Sequence, residues 1–363
     1  KLNARKRGLF FKDEDLYAFH TSVKINTLSI LGGMSGTGKT QLAKLYGETM
    51  GLELGKDLLM IPVSPSYKEP NDVLGYLNPT TGVFYESDTG LVSLLLDAEQ
   101  TPGKMFMVIF DEMNLSQVEH WFSDFISLLE IDEKNRYIQL FNDNSYCVNS
   151  KYKPKIKIGN NIIFVGTVNF DETTKDFSDR LLDRTNVITP NKLTFKKSLE
   201  ISKKYNIKDY EFESLNVITK VFRNQWTILD DDTNFISFLN LDEINLLDDL
   251  HQLINKNDKQ RGVSFRVVKG IARFLANIPV NDESKMIMDR SYAFDLQISQ
   301  RVLTKIKGLE SYVEPLVGRY ENGSYIPGEI AQLLSSEKAQ NISSFEISLD
   351  HLKNKAKELM LYG

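Results

Sequence analysis

The sequence predicts an α/β fold, a parallel β-sheet sandwiched by helices, followed by an α-helical domain. Two observations carry that reading. Continuous apolar runs, DLLMIPV (57–63), MFMVIF (105–110) and NIIFVGTVN (161–169), alternate with helical patterns in the first half. Such runs are expected where helices cover both faces of a parallel sheet. After Pro190 the buried β-runs cease and the chain becomes helical and charged.

Taken in order, TLSIL (27–31) reads as a buried strand, followed by a Gly-rich turn and a helix at KTQLAKLYGETM (39–50). DLLMIPV is the next strand. NPTTGVFYESDTG (78–90), with its alternation and Gly turns, predicts a hairpin. Phe84 and Tyr85 near its tip could face a partner or pack on the chain's own sheet. MFMVIF follows as a strand. SQVEHWFSDFISLLE (116–130) then predicts a helix, because Val118, Trp121, Phe122, Phe125, Leu128 and Leu129 recur at three-to-four spacing. NIIFVGTVN and TNVIT (185–189) complete the sheet. Residues 191–310 read as a helical domain. Residues 311–363 read as a tail of unknown role with Gly318, Gly323, Pro327 and Gly328, ending in an amphipathic helix at 349–361.

Composition narrows the function classes. The chain has 363 residues, 44 basic and 49 acidic, for a net charge of −5. That mild acidity argues against coating nucleic acid by bulk electrostatics. One cysteine, Cys147, cannot form an intrachain disulfide, which points to a reducing, cytoplasmic setting. The four histidines are scattered without ligand-like spacing, and no apolar run nears the roughly 18 residues of a membrane span. The basic start, KLNARKRGLF, leads into FKDED and so is no secretory signal. It also lacks an initiator methionine, so a preceding portion is expected.

Four groups of residues carry chemistry. GGMSGTGKT (32–40) has the P-loop spacing, Gly33, four residues, Gly38, Lys39 and Thr40, between a strand and a helix. Ser35, Gly36, Thr37 and Gly38 would turn backbone N–H groups toward phosphate oxygens, and Gln41 follows in the first helical turn. Lys39 would reach the β- and γ-phosphates, and Thr40 would hold Mg²⁺. Asp111 and Glu112 follow a buried strand at the sheet edge where ligands bind, so Asp111 suits the metal and Glu112 suits a general base. Asn114 either positions neighbouring polar groups or caps the next helix. Asn169 ends a parallel strand and could orient the attacking water. Arg180 and Arg184, four apart, form either an arginine finger or a salt-bridged solvated helix beside Asp179 and Asp183. Arg266, in GVSFRVVKGIARFL (262–275), could close over the γ-phosphate or face solvent.

In this order, these elements resemble an AAA+ ATPase module over about residues 10–310. SPSYKEPNDVLGYLNPTTGVFYESDTGLVSLLLDA (64–98) looks like a helix carrying an inserted hairpin. With FDEMNLSQVEHWFSDFISLLE (110–130) and GTVNFDETTKDFSDRLLDR (166–184) it resembles the dynein-related/midasin-like branch. Within that branch, and with DLQISQRVLTKIKG (295–308), it is most similar to McrB-type NTPase subunits of modification-dependent restriction systems. The resemblance implies a nucleotide-binding domain at 1–190, a helical lid at 191–310, Asn169 as first sensor, Arg180 and Arg184 as trans-acting arginines, and Arg266 as second sensor. It also implies a homo-oligomeric ring, a hexamer, with a McrC-like nuclease partner, DNA being read by a domain outside this chain. One departure matters. VNFDE stands here where McrB has an MNTAD-type stretch, so a preference for GTP does not transfer, and ATP and GTP both stay open. Two other readings remain: a MoxR/midasin-like ATPase that remodels protein complexes, and a non-hydrolysing nucleotide-dependent scaffold.

Overall fold

The computed structural model describes every residue except 27, 129, 130, 132, 171–174, 176, 205–211, 229–234, 282 and 363, and the side chains of 204, 257 and 362. It contains two compact units, Lys1–Thr227 and Ile228–Gly363. No helix among the described residues is long and apolar enough to cross a membrane.

The strands of the first unit are β1 (Leu28–Leu31), β2 (Leu58–Pro62), β3 (Gly75–Leu77), β4 (Phe84–Glu86), β5 (Phe106–Asp111), β6 (Tyr137–Gln139), β7 (Lys155–Lys157), β8 (Ile162–Thr167) and β9 (Asn186–Ile188). Five of them form one parallel sheet in the order β2-β5-β8-β1-β9. Leu28 pairs with Phe164, Phe106 with Ile162 and Ile61 with Phe110. Every residue of β1 and β8 is buried, as the unbroken apolar runs predict for a sheet covered on both faces. On one face Phe110, Trp121, Phe122, Phe125 and Phe164 pack together, Phe122 stacking on Phe125 at 4.7 Å. On the other, Leu31, Met107, Ile109 and Val165 pack in one cluster with Leu42 and Ala43 of the helix Lys39–Thr49. Each large side chain so buried contributes roughly 1.5–3 kcal/mol. Because β8 lies between β1 and β5, the segments leaving these three strands emerge side by side.

Several local expectations are corrected. The helix predicted over 116–130 is broken: a 3₁₀ turn at Met113–Leu115 precedes Val118–Trp121 and Ser123–Leu128, interrupted at Phe122. Its apolar residues are buried nonetheless, and Leu129 lies outside the described residues. The hairpin begins earlier than expected, with β3 pairing antiparallel to β4 so that Leu77 faces Phe84. Phe84 is core, packed on Tyr152 at 4.6 Å, whereas Tyr85 is exposed and stacks on Tyr76 at 5.7 Å.

The first unit also extends beyond Pro190. Leu215 N donates to Thr49 O at 2.9 Å and Val217 N to Met50 O at 2.8 Å, while Ile218 bridges to Lys104. Phe222 is fully buried, and the Arg223 guanidinium donates to the carbonyls of Asn160 and Lys24. The compact units therefore divide at 227/228, not at 190. Backbone bonds, one phenylalanine and one guanidinium make these attachments, and they leave no periodic signature in sequence.

In the second unit, helix Leu241–Asn257 starts with a reciprocal capping box between Asn240 and Glu243. Helices Phe265–Ala276, Arg290–Gln297 and Glu310–Val317 follow, then an antiparallel pair, β10 (Gly318–Glu321) and β11 (Ser324–Pro327). The last helix spans Glu346–Tyr362, starting three residues before the predicted 349. Residues 311–363 are no separate tail. The buried Asp295 carboxylate accepts from Ile347 N and Ser348 N, each at 2.9 Å, and from Ser348 Oγ at 2.5 Å. A carboxylate there also meets the positive end of the helix dipole. Ser299 Oγ bonds His351 Nδ1 at 3.0 Å.

Two outcomes follow for the second unit. Asp295→Ala should cost about 2–3 kcal/mol in urea denaturation, since it removes a cap and strands buried donors. Burial, helped by nearby Lys355, lowers the His351 pKa to about 4. As pH falls below about 6.5 the unfolded chain takes up the proton first, so stability drops until about 4. The ceiling is about 3 kcal/mol at 1.36 kcal/mol per pKa unit. His351→Gln should remove that part of the pH slope, read from unfolding midpoints between pH 7 and 4.5.

Candidate functional site

The loop from β1 into helix Lys39–Thr49 turns on left-handed glycines, Gly33 at φ 135°, Gly36 at 74° and Gly38 at 88°. At Gly38 a Cβ would also lie 2.9 Å from Leu9 Cδ2, a side-chain end that can shift, so it is the left-handed backbone that demands glycine. Gly32 N donates to Ile188 O at 2.8 Å, fixing the loop's base to β9. Lys39, the first helical residue, is buried and folds back over the loop. Its Nζ donates to Gly33 O at 3.1 Å, Met34 O at 2.7 Å and Asn169 Oδ1 at 2.9 Å. Thr37 Oγ1 donates to Met34 O at 3.0 Å. Ser35, Gly36 and Gln41 are exposed, so the crown of the loop opens outward over the N-terminus of an 11-residue helix. Backbone amides and the helix dipole there favour an anion.

Asp111 ends β5, and its Oδ1 accepts from Thr40 Oγ1 at 2.5 Å and Thr167 Oγ1 at 2.6 Å. Glu112 follows in the left-handed region, φ 52°, an uncommon conformation for a residue with a Cβ and one that recurs at functional sites. Its N–H donates to Thr167 Oγ1 at 3.0 Å, while its exposed carboxylate accepts from Asn169 Nδ2 at 3.1 Å. Asn169 thus joins Lys39 to Glu112 through opposite ends of one amide. Asn114 Nδ2 donates to Asn169 O at 2.8 Å, and Lys175 N donates to Asn114 O at 3.0 Å. The next helix starts at Val118 after Gln117, so Asn114 positions its neighbours and caps nothing.

The Thr40 hydroxyl and the Asp111 carboxylate converge as hard oxygen donors, the chemistry Mg²⁺ takes with phosphate oxygens and water. Among the described residues no three His, Cys, Asp or Glu side chains cluster as a metal cage. Thr167 was not foreseen from sequence; the signal it leaves is a hydroxyl closing an otherwise apolar strand.

The arginines separate. Arg180 is exposed on the four-residue helix Asp179–Leu182, which Ser178 caps. Arg184 lies past the end of that helix, and its Nη1 donates to Ile126 O at 2.9 Å, so the two share no helix face. Glu119 Oε1 accepts from Ser178 N at 2.7 Å. Burial works against the Glu119 carboxylate, but the bonds from Ser178 and Gln117 outweigh it and hold its pKa below the ordinary value. Arg266 is the exposed second residue of helix Phe265–Ala276, in the other unit.

Comparison with known proteins adds three findings. Residues 211–363 match a family described as a domain of unknown function, DUF8727. That match takes in the whole of the second unit. No curated protein matches. A crystal structure described as a "putative ATPase" from Cytophaga hutchinsonii is similar over 95% of this chain and 92% of that one, at 14% identity and a TM-score of 0.47.

The site geometry makes Lys39 the test of anion binding. Lys39→Ala should weaken binding of a fluorescent nucleoside triphosphate at least about tenfold, a loss of 1.4 kcal/mol or more. A melting curve should show the fold retained.

Proposed function

We propose that this chain is a Mg²⁺-dependent nucleoside triphosphatase of the AAA+ kind. The observation that carries the proposal is the run Lys39–Asn169–Glu112 beside the Thr40–Asp111 pair. It sets a phosphate-binding cation, a metal-binding pair and a carboxylate base on three adjacent strand ends. The loop amides and Lys39 would receive the phosphates in place of the carbonyls that Lys39 now holds. Thr40 and Asp111 would hold Mg²⁺, which when bound neutralises phosphate oxygens. Glu112 would take the proton of the attacking water, and the Asn169 amide would hold Glu112 and the water in line. The P-loop reads phosphate through its backbone, so the proposal covers ATP and GTP alike. A complete base and metal pair favours hydrolysis over a passive scaffold.

In its finer form, the proposal is a McrB-like motor working as a ring beside a McrC-like nuclease. The order of the motifs supports it. So does the β3–β4 hairpin, set between helices Asn71–Leu74 and Leu91–Gln100 as an insert. Arg180 then serves as the trans-acting arginine, being exposed on a capped helix, and Arg184 braces that helix against Ile126. A stable nuclease co-purifying with the ring favours this form. A protein-remodelling partner in its place favours the MoxR/midasin form.

Turnover of ATP and GTP, measured in parallel, tests the proposal. Glu112→Gln should lower kcat about 10²–10⁴-fold with nucleotide affinity nearly unchanged. Arg180→Ala should lower it about 10³-fold or more while binding persists. Arg184→Ala should cost about 1 kcal/mol of stability through its lost bond to Ile126. Full turnover by an isolated Arg180→Ala monomer would rule out a shared site.

A further inference from the structure

We infer that Thr167 is a positioning residue that sets both the metal-binding carboxylate and the base through one hydroxyl; this rests on the triphosphatase reading above. Thr167 is the last residue of β8, paired with Leu31, and only 1% exposed. A threonine hydroxyl has one proton to give and lone pairs to accept with. Thr167 uses both functions on two different residues. It donates to Asp111 Oδ1 at 2.6 Å and accepts from Glu112 N at 3.0 Å. The second bond holds the backbone of a residue that sits at φ 52°, a conformation that persists only where its surroundings enforce it.

The same Asp111 oxygen also receives Thr40 Oγ1, and that duplication separates the two threonines. Thr40 stands on the P-loop helix and is the hydroxyl a nucleotide-bound cation would claim. Thr167 is buried in the central strand and keeps its bond whichever way Thr40 turns. Asp111 therefore has one partner that can leave and one that stays. With Thr167 in place the carboxylate is already oriented when the cation arrives, and Glu112 stays in register with it. Without the hydroxyl, Asp111 loses its fixed partner and Glu112 N loses its acceptor in a single change. Phosphate binding by the loop and Lys39 does not pass through Thr167.

Thr167→Val keeps the shape and removes the hydroxyl, Thr167→Ala removes hydroxyl and bulk, and Thr167→Ser restores the hydroxyl. A fluorescent ATP or GTP analogue is titrated into each full-length chain, once in EDTA and once across a Mg²⁺ series, and turnover is followed over the same series. The Val and Ala chains should bind in EDTA within about twofold of the unmodified chain. Their half-saturating Mg²⁺ should rise about 10–100-fold, the usual cost of losing a group that orients a metal ligand. Turnover should fall at least about tenfold, and the Ser chain should recover to within about threefold on both measures. Glu112→Gln, by contrast, should lose turnover with its Mg²⁺ titration unmoved. An unshifted Mg²⁺ titration in a folded Val or Ala chain overturns the inference, as does a Ser chain as defective as the Val chain. Failure of the unmodified chain to bind either nucleotide would instead defeat the triphosphatase reading itself.

Discussion

The position of β8 between β1 and β5 is the constraint on which the site depends. Lys39 follows β1, Glu112 follows β5, and both bond the residue that leaves the strand between them. Asn169, leaving β8, spans the gap with a carboxamide whose oxygen meets the ammonium and whose nitrogen meets the carboxylate. An aspartate there would repel Glu112, and a leucine would leave both charges unlinked. Strand order thus determines which chemistry a single side chain can perform.

That arrangement is held by apolar packing some distance from any ligand. Phe110 lies one residue before Asp111 and packs against Trp121, Phe122 and Phe164. Asn114 and Glu119, on the irregular segment that follows Glu112, tie it to Asn169 and Ser178. Asn114 lies on the 3₁₀ turn Met113–Leu115 and Glu119 on the short helix Val118–Trp121. The breaks at Phe122 and before Val118 let one stretch bury its aromatics and also reach two functional loops.

What the sequence discloses depends on how local the cause is. The P-loop is legible because its glycines, lysine and threonine answer to backbone geometry within nine residues. The buried strands are legible because two covered faces demand unbroken apolar runs. Thr167 is not legible, because its bonds to Asp111 and Glu112 exist only where β5 lies beside β8. The first unit's extent past Pro190 is not legible, because Leu215, Val217 and Phe222 attach by contacts with Thr49, Met50 and the core that no periodicity records. Arg180 and Arg184 look equivalent at four-residue spacing, and only the early end of the helix Asp179–Leu182 sets them apart, Arg180 exposed on it and Arg184 bonded to Ile126 beyond it.

The bond network at Asp295 has a consequence for biosynthesis. Domains generally fold as units while the chain is being made, the earlier ones first. The first unit has all its strands once β9 has emerged, but Asp295 must wait more than fifty residues for the amides of Ile347 and Ser348. Until then a carboxylate destined for the interior stays in water, and the helix that carries it lacks its lasting neighbour. The cap on the last helix therefore forms only after the helix beginning at Glu346 has emerged. A nascent chain stalled before that point would carry a complete first unit followed by a second one whose Asp295 carboxylate still lacks its partners.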